Sequence, residues 1–481
     1  MNLIREIKEY KVIITLIVLQ LLVSLPFISS AAISIDEPFS IFYAQQELGE
    51  FLPVLNQGNN PPLHFILLHY WIELFGISEF SVRSLSLLFS VLTIPVLYSF
   101  GKKILNIDFS IILVLFFIFS TFNHYHALEA RVYSLMVLLT VLIFDEIYNL
   151  IFQDKFSFIK LALWNVLLMY SHYLGGIVVI VEIAILGLFY SRLSKQNVLN
   201  FIYSGIISLI LFSPELILLI ERVSDFSTNG TWVAKPHVSE LYGNIIRFFN
   251  AKYSILLLSM VVLVIMLYNR KLIIKDRFRG LFSQKNTFIF LIFGLSYFGM
   301  YLFSILKQPI FIDRYILFTT PFLFISFLIL VKYVLFEQKN QLVLVFIVLP
   351  MIIFCKYVPD TDRNPDEIAK FVKNFKTKDK QILICPPFYD LTFKYHFQKE
   401  VFMNYTNQDS VSNIHSIYSI SDEMMSSLSN SNGSIFFVDA KSEFLFPGNR
   451  ILEDLKKNFT LENHQKFKGD YKVYQFTINK E

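Results

Sequence analysis

Long apolar runs recur between short polar breaks throughout the first 358 residues, and few architectures accommodate such a chain. A helix rising about 1.5 Å per residue needs about 20 apolar residues to cross a hydrocarbon core of about 30 Å. A soluble helical bundle would show polar faces at a 3.6-residue period, and those faces are largely missing. Only 17% of the 481 residues are charged, against roughly 25% in soluble domains. The pattern predicts an all-α polytopic membrane protein.

Eleven spans are expected, at 12–33, 80–100, 109–127, 131–150, 158–170, 174–190, 200–220, 251–268, 288–306, 313–335 and 341–358. Basic residues set their orientation. Arg5, Lys8, Lys11, Lys102, Lys103, Lys155, Arg192, Lys195, Arg270, Lys271, Lys275, Arg277, Arg279, Lys285 and Lys339 all fall on one side. The long loop 34–79, on the other side, has no Lys or Arg. A cytoplasmic N-terminus follows, and an odd number of spans puts the segment after Val358 outside. Arg5, Lys8 and Lys11, the first apolar run and Ser29-Ser30-Ala31-Ala32 also have the outline of a signal peptide. The run exceeds a usual signal core, so an uncleaved span is expected.

The tail is rich in Lys, Asp, Asn and Ser. Its pattern reads as a helix over Asp366–Asn374 and strands over Gln381–Cys385, Ser434–Val438 and Tyr471–Ile478. The expected organisation is a transmembrane domain over 1–358 and a small α/β extracytoplasmic domain over 359–481. Cys355 and Cys385 match no metal motif, and no disulfide between them is expected.

Ionisable groups are costly at membrane depth, so their placement is informative. They collect at the outer ends of separate spans: Asp36 and Glu37, Arg83, Glu129 and Arg131, His172, and Asp313 with Arg314. All nine histidines fall outside in this topology. Taken singly, Arg83 and Arg314 are explained by snorkelling, and Tyr43, Tyr133, Tyr173 and Trp232 by interfacial anchoring. His172 reads equally as a packing residue, and the Asp36-Glu37 pair as a loop cap. Together they define one candidate face. Loop 34–79 is too apolar for a free loop, and its spacing predicts amphipathic surface helices over 38–50 and 62–76. Asn60-Pro61-Pro62 starts the second, since proline is tolerated in a first turn. Glu182 and Glu215 fall within spans and have no role in this scheme. In loop 221–250, Asp225, Trp232, Lys235 and His237 form no telling pattern.

These elements carry a resemblance. Asp36-Glu37-Pro38, Pro61-Pro62-Leu63-His64, the 74–85 stretch ending in Arg83-Ser84-Leu85, Glu129-Ala130-Arg131-Val132-Tyr133-Ser134-Leu135, Ser171-His172-Tyr173 and Ile312-Asp313-Arg314-Tyr315 occur in order over roughly 1–360. In this the chain resembles the GT-C glycosyltransferases, in particular the protein O-mannosyltransferase and lipid A aminoarabinose transferase group. The resemblance implies an inverting hexosyl- or pentosyltransferase. It would move sugar from a polyprenyl-phosphate donor to a lipid, glycan or protein acceptor on the outer face. Asp36 is then the general base, with Glu37 supporting it or ligating a metal. Arg131 and Arg314 become donor-phosphate cations, and Arg83 a donor-binding or loop-orienting residue. His172 and His64 would contact the carrier phosphate or a divalent ion. Some relatives use a metal and others do not, so a divalent cofactor, with Glu37 and His172 as candidate ligands, stays open. Nucleic acid is not an expected partner.

Two other classes compete. A polysaccharide polymerase or ligase using diphosphate-linked glycans would usually place its catalytic loop late in the chain. A transporter predicts paired halves and mid-membrane charges, and no internal repeat is visible here.

Overall fold

The computed structural model describes residues 2–34, 36–55, 60–153, 155–229, 233–268, 280–335, 341–359, 364–375, 381–403, 414–430 and 433–477. Trp232 and the expected inner-side cations Arg270, Lys271, Lys275, Arg277, Arg279 and Lys339 lie outside them, as do the side chain of Asp225 and the end of the last expected strand at Ile478.

Two compact units form. The first comprises Met1–Ile28, Glu47–Trp71 and Phe80–Val358, and the second Ser29–Gln46, Ile72–Glu79 and Pro359–Glu481. Segments 29–46 and 72–79 therefore group with the tail, a division that no change in composition marks.

The first unit is a multi-pass membrane bundle. Among the described residues six helices are long and apolar enough to span: Glu6–Phe27, Glu79–Ile104, Tyr133–Phe152, Lys195–Ile220, Gln284–Leu306 and Asp313–Tyr333. Two further pairs, Ile107–Ile118 with Thr121–Ala127 and Val238–Phe248 with Lys252–Val264, pass only as bent units, with kinks of 62° and 73°. The spans expected at 158–170, 174–190 and 341–358 are shorter apolar helices, Phe158–Ser171, Gly175–Leu188 and Leu344–Ile353. By length, six to eight spans are counted among the described residues, which leaves the expected eleven unconfirmed. Ile202, Ile206, Leu209, Ile210 and Ile217 stand 47% to 64% exposed on one helix, a surface that only lipid solvates cheaply.

One asparagine joins the two kinks. Asn250, with φ of +74°, accepts a hydrogen bond from Thr121 N at 2.7 Å and donates to Phe119 O and Met351 O, both at 2.8 Å. Ser120 Oγ donates to Phe248 O at 3.2 Å. Backbone groups released by each bend are thus satisfied within protein, which the hydrocarbon region requires.

Polar side chains mark the two ends of the long helix Glu79–Ile104. Lys102 pairs with Glu9 at 2.5 Å and Lys103 with Asp145 at 2.6 Å, where cations also suit a helix C-terminus. Arg83 stands 19 residues earlier, about 28 Å along the axis. Within the bundle Asn165 Nδ2 donates to Glu182 Oε2 at 3.1 Å, and Tyr173 OH to Glu215 Oε2 at 2.9 Å. Each of these carboxyls therefore has a hydrogen-bond partner on another helix or turn.

In the second unit, strands β1 (Gln381–Cys385), β2 (Ile414–Ser416), β3 (Ser434–Asp439), β4 (Thr460–Lys466) and β5 (Lys472–Thr477) form one sheet in the order β2-β1-β3-β5-β4. The first three are mutually parallel, and β5 runs antiparallel to β3 and β4. Alternation along β1 and β3 builds two cores. Ile382, Ile384, Phe436 and Val438 pack with Ile368 and Val372 of the Pro365–Asn374 helix and Phe393 of the Asp390–Phe397 helix. Leu383, Ile435 and Phe437 pack with Leu428 of Asp422–Ser429 and with Ile451 and Leu455 of Arg450–Asn458. Burial on both faces is what a parallel sheet needs. Strand β4 is exposed along its whole length, and its charged and polar residues blunt the sheet edge. Cys355 and Cys385 are free thiols.

Candidate active site

In the first unit, three separate turns supply a cationic and aromatic cluster. Residues 128–132 turn between the Thr121–Ala127 and Tyr133–Phe152 helices. Arg131 N donates to Glu129 O at 2.7 Å, and Ser86 Oγ of the Glu79–Ile104 helix donates to Arg131 O at 3.0 Å. The turn is tied down on its other side too. His126 and Glu129, 3% and 7% exposed, meet through Nδ1 and Oε2 at 2.7 Å, while Ser134 Oγ donates to His126 O at 2.9 Å.

His172 ends the Phe158–Ser171 helix in an extended conformation. Leu174 N donates to its Nδ1 at 3.2 Å, which leaves Nε2 as the protonated donor of the neutral ring. Its ring centroid lies 6.5 Å from that of Tyr133 and 5.1 Å from that of Tyr315. The Arg131 guanidinium stands 6.0 Å from the Tyr133 ring, and that of Arg314 stands 5.7 Å from the Tyr315 ring. Burial, then the fields of Arg131 and Arg314, push His172 down to about 3. Both arginines therefore converge on one imidazole, which the protein keeps neutral.

His64 opens the Leu63–Phe75 helix, is 2% exposed, and contacts the backbone of Ala130. Burial and the nearby Arg131 push it, too, down to about 3. Two neutral, buried imidazoles thus lie near guanidinium groups, a set made up of hydrogen-bond donors and positive charge. A divalent cation is disfavoured at His172 by the same two arginines. Among the described residues, no group of three or more His, Cys, Asp or Glu side chains is placed to hold a metal. The donors around His172 thus do not fit a metal centre.

Two residues of the candidate face have close partners within the first unit. Arg83, 3% exposed, donates from Nη1 to Ile28 O at 2.9 Å, fixing the end of the first helix. Asp313 pairs with the half-exposed Arg247 and accepts from Arg314 N at 2.7 Å.

In the second unit Asp36 is the N-cap of the Glu37–Ala44 helix, yet its side chain makes no capping hydrogen bond. Its carbonyl instead accepts from Ser40 N and Ser40 Oγ, at 3.2 and 3.3 Å. Glu37 is 4% exposed, and its Oε2 accepts from Ser34 N at 3.3 Å, closing the loop on itself. Pro38, in the first turn, fixes the backbone where the helix begins. The surface helix expected over 38–50 breaks at Gln45-Gln46 into Glu37–Ala44 and Leu48–Leu55, whereas the one expected over 62–76 is continuous as Leu63–Phe75.

The pairing of His126 with Glu129 and of Asp313 with Arg247, 66 residues away, appears only in the folded chain.

The chain is a multi-pass membrane protein, and the solved structures it is similar to give it the fold of the GT-C glycosyltransferases. Residues 59–218 match the family described as dolichyl-phosphate-mannose-protein mannosyltransferase. Among solved structures the chain is similar to ArnT from Cupriavidus metallidurans in the apo state. The TM-score is 0.61 and the identity 11%, covering 97% of each chain. The same protein bound to undecaprenyl phosphate gives a TM-score of 0.58 at 11% identity and the same coverage. The archaeal oligosaccharyltransferase AglB from Archaeoglobus fulgidus, in complex with an inhibitory peptide and a dolichol-phosphate, gives 0.53 at 9% identity. That match covers 99% of this chain and 74% of the other. No curated protein matches the sequence.

Proposed function

We propose that this protein transfers a sugar from a polyprenyl-phosphate donor to an acceptor hydroxyl on the outer face of the membrane. The observation that carries the reading is that Arg131 and Arg314 stand over Tyr133 and Tyr315, the two rings that pack against His172. Such a cluster suits the phosphate of a lipid whose prenyl chain stays in the bilayer. The binding of undecaprenyl phosphate by ArnT, which shares this fold, supports the donor class.

In the proposed step the acceptor oxygen attacks the anomeric carbon and passes its proton to Asp36. The bond from the anomeric carbon to the phosphate oxygen breaks, and polyprenyl phosphate leaves with the electron pair. Its growing charge is stabilised by Arg131 and Arg314. His64 and His172 donate hydrogen bonds to the phosphate, Arg83 fixes the end of the first helix, and Glu37 holds the Asp36 loop. The N-terminus is assigned to the cytoplasm and residues 359–481 to the outside. Reporter fusions at Lys155 and after Val358 test that orientation, and a cytoplasmic tail would overturn it.

The chemical test uses purified protein in lipid with a labelled polyprenyl-phosphate sugar. Free polyprenyl phosphate should appear when acceptor is supplied, and Asp36→Asn should abolish its release. Turnover at the wild-type rate in Asp36→Asn would remove Asp36 as the base.

A further inference from the structure

The Asp36 loop is held at both ends by the C-terminal part of its own unit. Before the loop, Nε2 of His396 lies 2.7 Å from Ile33 O, so the imidazole donates to a fully buried residue three positions ahead of Asp36. After it, Gln45 Nε2 donates to Phe402 O at 3.1 Å, one residue beyond the Glu37–Ala44 helix. Phe42 of that helix, 1% exposed, packs edge-on to Phe402 with ring centroids 5.6 Å apart. Tyr395 contributes on both sides of this arrangement. Its ring packs on Phe402 at 5.2 Å, and its hydroxyl donates to Ile77 O at 2.7 Å, in the second short segment that joins this unit.

His396 and Tyr395 stand on the Asp390–Phe397 helix, which is itself rigidly founded. Phe393 lies in the core beneath the sheet, and Lys394, with its side chain 2% exposed, pairs with Asp390 at 3.0 Å. The anchors thus connect the loop to the sheet core through one helix. They pin residues 33 and 45, and Asp36 and Glu37 sit between these fixed points.

We propose that the C-terminal unit is a positioning element of the catalytic apparatus, with His396 its principal contact to the Asp36 loop. The proposal rests on the assignment of Asp36 as base. A base must be held in near-attack geometry, and a displacement of 1 Å can cost about 100-fold in rate. Removal of the His396 contact therefore acts on turnover and leaves donor binding alone.

The test is made on the full-length protein in lipid. His396→Ala should lower kcat by about tenfold to 100-fold, leave KM for the polyprenyl-phosphate sugar within about twofold, and speed hydrogen–deuterium exchange over residues 29–46. Exchange in β1 and β3 should stay at the wild-type rate. His396→Gln, which restores an Nε donor, should recover most of kcat and of the exchange protection. If His396→Ala misfolds, Gln45→Ala removes the part-buried bond to Phe402 O at the other anchor, and the same split is expected there. Wild-type exchange over 29–46 together with wild-type kcat in these variants would overturn the proposal. Full activity in Asp36→Asn, with exchange still raised by His396→Ala, would instead sink the assignment of the base while leaving the clamp.

Discussion

Acidification should destabilise this protein through His64, by an amount that can be worked out. The ring is 2% exposed and Arg131 stands close by, and these two effects outweigh the backbone hydrogen bond with Ala130. Its pKa is pushed from the ordinary 6.5 down to about 3. Above pH 6.5 the imidazole is neutral in both folded and unfolded chains, and it contributes no pH dependence. As pH falls through 6.5 the unfolded chain takes up a proton that the native chain refuses, and stability drops until the native ring protonates near pH 3. Each pH unit in that window is worth about 1.4 kcal/mol, so the loss at pH 5 is about 2 kcal/mol. Thermal unfolding in detergent at pH 7 and pH 5, for wild type and His64→Phe, reads the difference. Wild type should lose about 2 kcal/mol more than the variant, whatever the variant's starting stability. A phosphate on the ring favours its charged form, so added polyprenyl phosphate should shrink the acid loss in wild type and leave His64→Phe unaffected. Equal pH dependence in the two proteins would refute the reasoning.

Lysine keeps the charge of Arg131 or Arg314 but loses the planar fork and its stacking on tyrosine. Either replacement should therefore cost about 10- to 100-fold in kcat/KM for the donor, measured by release of polyprenyl phosphate. Glu129→Gln still accepts from His126 Nδ1 and should unfold within about 1 kcal/mol of wild type, while Glu129→Ala orphans a buried donor and should cost about 1–3 kcal/mol by thermal unfolding. Asn250→Ala removes three buried hydrogen bonds and puts alanine at a φ of +74°. It should sharply reduce the yield of folded protein on size-exclusion chromatography, because unsatisfied groups cost about 1–3 kcal/mol each.

Much of this molecule is legible in its sequence because hydrophobic burial writes a periodic signal. The long spans announce themselves by length, and β1 and β3 by their apolar, β-branched residues. What burial does not write stays hidden. Strand β2 has three residues, too few to show alternation, and β4 offers one apolar residue, Leu461, in an otherwise polar run. The kinks at Ser120 and Phe249 carry no proline or glycine; the first is tied to Asn250, 129 residues beyond Thr121, and the second holds Asn250 itself at a positive φ. Short helices such as Phe158–Ser171 and Gly175–Leu188 read as full spans because apolar composition does not reveal where a helix stops.

The candidate site divides along the same line. Cations and histidines at span ends are visible, because ionisable residues in so apolar a chain stand out. Their partners are not. The i,i+3 spacing brings His126 within reach of Glu129, but nothing local tells that His396 reaches Ile33, 363 residues earlier. The grouping of Ser29–Gln46 with the tail is likewise a property of the folded chain alone.

The junction at Asn250 also has a consequence for assembly. The chain emerges from the ribosome in order, so the bend at Phe119 is made long before the side chain that completes it. Until residue 250 arrives, the carbonyl of Phe119 and the amide of Thr121 lack the partner they have in the folded chain. The first bend therefore closes only when the second bent pair is delivered. Biogenesis of the bundle is thus obliged to finish late, and a truncation before residue 250 should leave a product that quality control removes.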